Sequence, residues 1–199
     1  MKAELVEIFK SIQGEGLYQG QEQVFVRFYG CNLQCSFCDT KSLFYTKEDL
    51  FYIMKKINDL GDFHSVSLTG GEPLLQIEFL KQLSKTLKQD KRTVYLETNG
   101  VLYENLREII DFMDIISMDF KLPTSTNDRI LWKEHTEFLK IALKKEVFVK
   151  AVIGLNTSEE DLIECIKIIK KLKPDLFFVL QPQNPYENQL KPKMEIFEK

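Results

Sequence analysis

The chain has 199 residues, of which 44% are hydrophobic and 29% charged, and its net charge is −3. That balance suits a single domain over residues 1–199 that builds a core and stays in solution. No block of Lys and Arg stands out and no apolar run is long enough to span a bilayer, so neither nucleic acid nor a membrane is the expected partner. A small-molecule substrate is expected instead. Met1 to Lys10 alternates charged and apolar residues, unlike a signal peptide, and a reducing cytoplasmic setting follows as the expectation.

Short β-rich runs alternate with helix-like stretches along the chain. Strands are expected at Val24–Tyr29, Ser65–Leu68, Val94–Glu97, Ile115–Asp119, Val147–Ile153 and Leu176–Gln181, each short and rich in Val, Ile, Phe or Leu. Between the first two, Leu50, Ile53, Met54, Ile57 and Leu60 recur at helical spacing, with Thr46 as the expected cap. Phe79, Leu80, Leu83 and Leu87 mark a second helix. Leu162, Ile166, Ile169 and Leu172 mark another, which a Thr157–Glu160 capping box would open and Pro174 would stop. Shorter helices are expected over Glu104–Phe112 and Lys133–Lys145. This order implies a parallel sheet with right-handed crossovers. Six units curl into a partial barrel or lie flat as a doubly wound sheet, and periodicity alone does not choose. Either way the site belongs at the carboxyl ends of the strands.

The chemistry-bearing residues fall there. After the first strand comes Gly30-Cys31-Asn32-Leu33-Gln34-Cys35-Ser36-Phe37-Cys38-Asp39-Thr40. Three thiolates at C-x3-C-x2-C reach three corners of an iron–sulfur cube and leave one iron open. Zinc is the competing metal for such cysteines, but no second Cys or His pair lies nearby, and His64 and His135 are isolated. The fourth cysteine, Cys165, sits amid helical Leu and Ile and reads as a small buried hydrophobe. After the second strand, Thr69-Gly70-Gly71-Glu72-Pro73 allows close backbone approach and positive φ. Glu97-Thr98-Asn99-Gly100 reads as a strand-end turn with polar capping. Ser117 and Asp119 of Ser117-Met118-Asp119-Phe120-Lys121 need polar partners if buried. Upstream, Ile12-Gln13-Gly14-Glu15 forms a loop able to read a heterocycle's edge. Strand alternation places Phe25, Arg27 and Tyr29 on one face, where an inward Arg27 needs an anion and a substrate carboxylate fits its planar fork.

The cysteine loop after a first strand resembles the radical S-adenosylmethionine superfamily, and Gly70-Gly71-Glu72 resembles its GGE motif. The run Ser11–Gly16, Arg27 and the Cys38-Asp39-Thr40 ending together resemble the 7-carboxy-7-deazaguanine synthases within it. The resemblance runs from Glu7 through Thr40, over Thr69–Pro73 and weakly to Gln181. It implies an α/β partial (β/α)6 barrel, shortened at the carboxy terminus. It implies a 4Fe–4S cluster on Cys31, Cys35 and Cys38, with S-adenosylmethionine chelating the open iron. Phe37, Cys38, Asp39, Gly70, Gly71, Glu72, Ser117, Met118, Asp119 and Gln181 would contact that cofactor. Ile12, Gln13, Gly14, Glu15, Arg27 and Thr69 would contact 6-carboxy-5,6,7,8-tetrahydropterin, and Thr40 would meet Mg²⁺.

The implied reaction is a lyase reaction of 7-deazapurine and queuosine biosynthesis. A 5′-deoxyadenosyl radical takes hydrogen from the pterin ring, the ring contracts, ammonia leaves and the cofactor is regenerated. An electron donor such as flavodoxin or ferredoxin and a homodimeric state are implied with it. The family's carboxy-terminal tail returns to the substrate. Gln181–Lys199 carries Pro182, Pro185 and Pro192 and no His, so contacts of that kind are not expected from it. The rivals are a glycyl-radical-enzyme activating protein with the same cysteine spacing, and a non-catalytic iron–sulfur or zinc module.

Overall fold

The computed structural model of the chain describes residues 1–38 and 44–183. Asp39 and Thr40 lie outside them. Strands and helices run in the order β1 (Lys2–Ile12), β2 (Glu22–Phe28), β3 (Thr46–Asp49), α1 (Leu50–Asp59), β4 (Ser65–Gly70), α2 (Ile77–Gln89) and β5 (Val94–Thr98). The second half continues with α3 (Tyr103–Ile109), β6 (Ile115–Asp119), α4 (Pro123–Thr126), α5 (Trp132–Ala142), β7 (Glu146–Ile153), α6 (Glu159–Leu172) and β8 (Phe178–Pro182). One eight-stranded sheet has the order β3-β1-β2-β4-β5-β6-β7-β8.

From β2 to β8 every strand is parallel to its neighbour and follows it in sequence. A doubly wound sheet reverses its order once and carries helices on both faces. With no reversal, right-handed crossovers all return on one side. The partial barrel is therefore the fold. Side-chain alternation does the sorting. Val24, Val26, Phe28, Val66, Leu68, Leu96, Ile116, Met118 and Val149 face the helices in one continuous buried core. The intervening Phe25, Arg27, Thr69, Glu97, Asp119 and Lys150 line a cavity on the opposite face.

The six expected parallel strands are all present, within two residues at each end. Two further strands are not among those expected. The charged–apolar alternation of the first residues is a period-2 strand: β1 pairs antiparallel with both β2 and β3. Thr46 accordingly does not cap α1. It lies in β3 opposite Leu5, and Asp49 Oδ1 accepts from the Tyr52 amide at 2.9 Å as the cap. The α6 cap moves by one residue as well: Ser158 Oγ accepts from the Asp161 amide at 3.2 Å, while Thr157 Oγ1 accepts from Gly154 N at 2.8 Å and holds the preceding turn. Cys165 is fully buried in the helix-side core, as expected.

Candidate active site

At the carboxyl ends of the parallel strands a cavity of about 420 Å³ opens on the inner face of the sheet. Cys31, Cys35 and Cys38 line one end of it. Two clamps hold their loop. On one side the α4 turn takes it by the backbone: Ser36 N donates to Thr126 O at 2.9 Å, and Gln34 N donates to Asp128 Oδ2 at 3.2 Å. On the other, Glu72 N donates to Gly30 O at 2.8 Å and Gly71 N to Phe28 O at 3.1 Å. A Cβ on Gly70 or Gly71 would run into the backbone of Phe28 or Gly30. These glycines therefore serve first to let the two loops touch.

Glu72 does not reach the cavity. It is fully buried, and its carboxylate accepts from Asn99 N at 2.8 Å, Leu74 N at 3.1 Å and Thr98 Oγ1 at 3.0 Å. Burial pushes its pKa up to about 7 against those hydrogen bonds. Its effect on the cavity passes through Asn99, whose Nδ2 donates to Asn32 Oδ1 at 2.8 Å and lies 3.8 Å from Cys31 Sγ. The Leu33 amide also donates to Cys31 Sγ, at 3.4 Å. Burial raises the Cys31 thiol, and raises Cys35 to about 11, so both must give up a proton to a metal.

The floor of the cavity is polar. Gln13 Nε2 donates to Glu97 Oε1 at 2.6 Å and to Gln23 Oε1 at 3.0 Å. Thr69 Oγ1 donates to Glu97 Oε2 at 2.8 Å. Arg27 points inward, with Nε 2.8 Å from Glu7 Oε1 and its guanidinium over the Phe9 ring. Beyond them, two lysines share one carboxylate. Lys121 Nζ donates to Asp119 Oδ2 at 2.7 Å and lies over the Phe37 ring at 5.4 Å. Lys150 Nζ lies 3.8 Å from the same oxygen and donates to Glu15. Burial opposes the charge of both, but the facing carboxylates win and both pKa values are raised. Asp119 Oδ1 is buried and has no hydrogen-bond partner among the described residues.

The fold thus gathers most of the expected site residues around one cavity. Ile12, Gln13, Gly14, Glu15, Arg27, Thr69, Gly70 and Gly71 line it, as do Phe37, Asp119 and Gln181. Ser117 and Met118 do not line it. Ser117 lies buried one turn of the pleat below Asp119, and Met118 points into the helix-side core. Asp39 and Thr40 fall outside the described residues. Sequence reasoning passed over Lys121 and Lys150, Glu97 as an acceptor, and Asn99 as a donor beside Cys31. Lys150 carried a usable signal: a lone charge alternating with apolar residues, the pattern read at Arg27.

The donor set fits an iron–sulfur cluster. The three thiols share a cavity wall, Cys31 receives N–H donors of the kind that tune such clusters, and Lys121 brings a positive charge near Cys35. Among the described residues no three His, Cys, Asp or Glu side chains converge on a single-ion position.

Fold and cavity together define a radical S-adenosylmethionine protein, and the family described as Radical SAM superfamily matches residues 25–180. Among similar proteins, the 7-carboxy-7-deazaguanine synthase of Geobacter sulfurreducens is 36% identical over 90% of this chain and 81% of its own length. The enzyme of that name from Archaeoglobus fulgidus is 37% identical over 92% and 84%. Among solved structures, the crystal structure of QueE from Escherichia coli superposes with a TM-score of 0.64 at 21% identity, covering 92% of this chain and 84% of that one. The chain belongs to the 7-carboxy-7-deazaguanine synthase family of the radical S-adenosylmethionine superfamily.

Proposed function

We propose that the chain is a lyase that converts 6-carboxy-5,6,7,8-tetrahydropterin to 7-carboxy-7-deazaguanine with loss of ammonia, by radical ring contraction. One observation carries this beyond family membership: the cavity that holds the three thiols at one end holds an inward arginine on its floor. Glu7 faces the Nε side of that arginine, and a cluster site alone gives no reason to turn the guanidinium into the cavity. A substrate with a carboxylate does.

When bound, the cluster and S-adenosylmethionine supply the hydrogen-abstracting 5′-deoxyadenosyl radical. The residues of the chain bind, orient and shield. Cys31, Cys35 and Cys38 hold the cluster. Phe37, Gly70, Gly71 and Gln181 would border the cofactor, and Asp119 Oδ1, which has no partner among the described residues, would take one of its donors. Glu72 acts from behind the wall, by fixing Thr98 and Asn99. Arg27 takes the substrate carboxylate, while Ile12–Glu15 and Thr69 frame the ring. Closing water out of a cavity with this many fixed charges strengthens each of them.

Mg²⁺, with Thr40 as a ligand, a flavodoxin- or ferredoxin-like electron donor, a homodimer and a cytoplasmic setting belong to the same reading. The activating-protein alternative would act on a protein. The curated relatives named above carry the small-molecule name instead.

The test is anaerobic turnover with 6-carboxytetrahydropterin, S-adenosylmethionine, Mg²⁺ and dithionite. 7-Carboxy-7-deazaguanine should accumulate, with one ammonia per product. Reconstituted protein that cleaves the cofactor but leaves the carboxypterin untouched would overturn the assignment.

A further inference from the structure

We propose that Lys150 is a positioning residue for the substrate, clipping the Gln13–Gln21 loop across the sheet so that the pterin pocket closes. The inference rests on the function proposed above and adds to it a residue on the far side of the cavity.

The loop leaves β1 and returns into β2, and its neck is tied by Gln13 N to Gln21 O at 2.8 Å and Gly20 N to Gln13 O at 2.9 Å. Its root is therefore at the β1–β2 side. Its body reaches β7, with β4, β5 and β6 lying between in the sheet order. Three contacts hold it there, to alternate residues of one strand. Tyr18 Oη donates to Glu146, Gly16 rests on the Phe148 ring with no room for a Cβ, and Glu15 accepts from Lys150. Glu146, Phe148 and Lys150 share a face of β7 by strand alternation. Only the Glu15–Lys150 contact borders the cavity. Gln13 is anchored separately, on Glu97 and Gln23, and its Oε1 accepts from Glu15 N at 3.1 Å; the Lys150 contact is what fixes the Glu15 side chain.

Charge explains why a lysine stands there. Lys150 has 12% of its side chain exposed, and it faces Glu15, Asp119 and Glu97, with Lys121 across Asp119. Asp119 already has Lys121 at 2.7 Å, against 3.8 Å to Lys150. Glu15 has no other cation among the described residues. Without Lys150 the loop keeps its neck and loses the hold nearest the substrate.

The test uses the reconstituted holoenzyme. In Lys150→Met, amide hydrogen exchange across Glu15–Gln19 should quicken before any substrate is added. KM for the carboxypterin should rise about tenfold, as for a site competent roughly a tenth of the time, and kcat should fall by less. Glu15→Gln should reproduce the KM change, the double variant should add nothing further, and Lys150→Arg should restore most of it. A loop equally protected in Lys150→Met, or an unchanged KM, or a loss confined to kcat, overturns the clip. If Lys150→Met does not fold, Lys150→Arg and Glu15→Gln decide it by the same readouts. Wild-type enzyme that ignores the carboxypterin would sink the proposed function, while the exchange data would still judge the clip.

Discussion

The cysteine loop and the Gln13–Gln21 loop border one cavity from opposite ends, and different forces hold them. The first is locked by backbone against backbone. Gly70 and Gly71 press on Phe28 and Gly30, and the Glu72 carboxylate behind them is fully buried and fully used. The second is tied by backbone only at its neck, and the part that borders the cavity is held by side chains: Gln13 on Glu97 and Gln23, Glu15 on Lys150, with Tyr18 on Glu146 beyond. Steric locks fail all at once, since packed backbone has nowhere to go. Polar clips fail by degrees, since water replaces each lost partner in part. A cluster site needs the first kind of wall and a site that must open to admit a substrate needs the second.

The sharpest way to break this comparison is Gly71→Ala. The new Cβ would strike the Gly30 carbonyl, the cysteine loop would move, and iron and sulfide bound after reconstitution should fall to background. A full cluster load would show that the wall yields. Next comes Arg27→Ala, which should keep its iron and raise KM for the carboxypterin on the order of a hundredfold, as for removal of one partner of a buried charge pair. Equal KM values would detach Arg27 from the substrate.

The two loops also differ in how far they could be read in the sequence. The rigid end was legible: cysteine spacing, paired glycines and six apolar strands are local patterns. What was not legible there depended on packing. Glu72 looks like a ligand-binding carboxylate in a turn, and only the approach of Thr98 and Asn99 turns it inward. Thr46-Lys47-Glu48-Asp49 reads as the polar start of a helix and becomes an edge strand because β1 offers it a partner. At the soft end, Arg27 was found by alternation, and the same alternation around Lys150 in Val149-Lys150-Ala151 was passed over. Its acidic partners come from β5, from β6 and from a loop far upstream, which no local window contains.

The rigid end has an electrostatic cost that pH exposes. Burial holds Glu72 near 7 against an ordinary 4.5, and holds His135, packed beneath Gly100, near 4 against 6.5. A raised carboxylate gives stability present below 4.5 and lost as pH climbs through 7. A lowered histidine gives stability present above 6.5 and lost as pH falls through 4. Between 4.5 and 6.5 the slopes oppose each other, and the wild-type chain should show little net dependence from this pair. His135→Gln leaves the Glu72 slope alone, so stability in anaerobic urea unfolding should fall by up to about 1.4 kcal/mol per pH unit as pH rises through that window. Glu72→Gln should tilt the other way. Parallel profiles for the three proteins would show that neither burial survives in solution.

The smallest effect is expected at the soft end, from Glu97→Gln. Glu97 accepts from Gln13 at 2.6 Å, from Thr69 at 2.8 Å and from Ser67 at 3.3 Å, all neutral donors. An amide in its place has one oxygen to accept with and two N–H groups to place. If the oxygen keeps Gln13, the amide nitrogen faces the Thr69 hydroxyl, which can turn and accept. If it keeps Thr69, two amide nitrogens meet and the Gln13 anchor is lost. The first arrangement should dominate because a hydroxyl rotates and an amide does not. The loop then stays in place with one weakened contact, and KM should rise by no more than about tenfold, the worth of one neutral hydrogen bond. Glu97→Ala removes the acceptor outright, so Gln13 loses its hold and KM should approach that of Lys150→Met. A hundredfold loss in Glu97→Gln would mean that the negative charge itself is needed, and that the soft wall is as unforgiving as the glycine wall opposite.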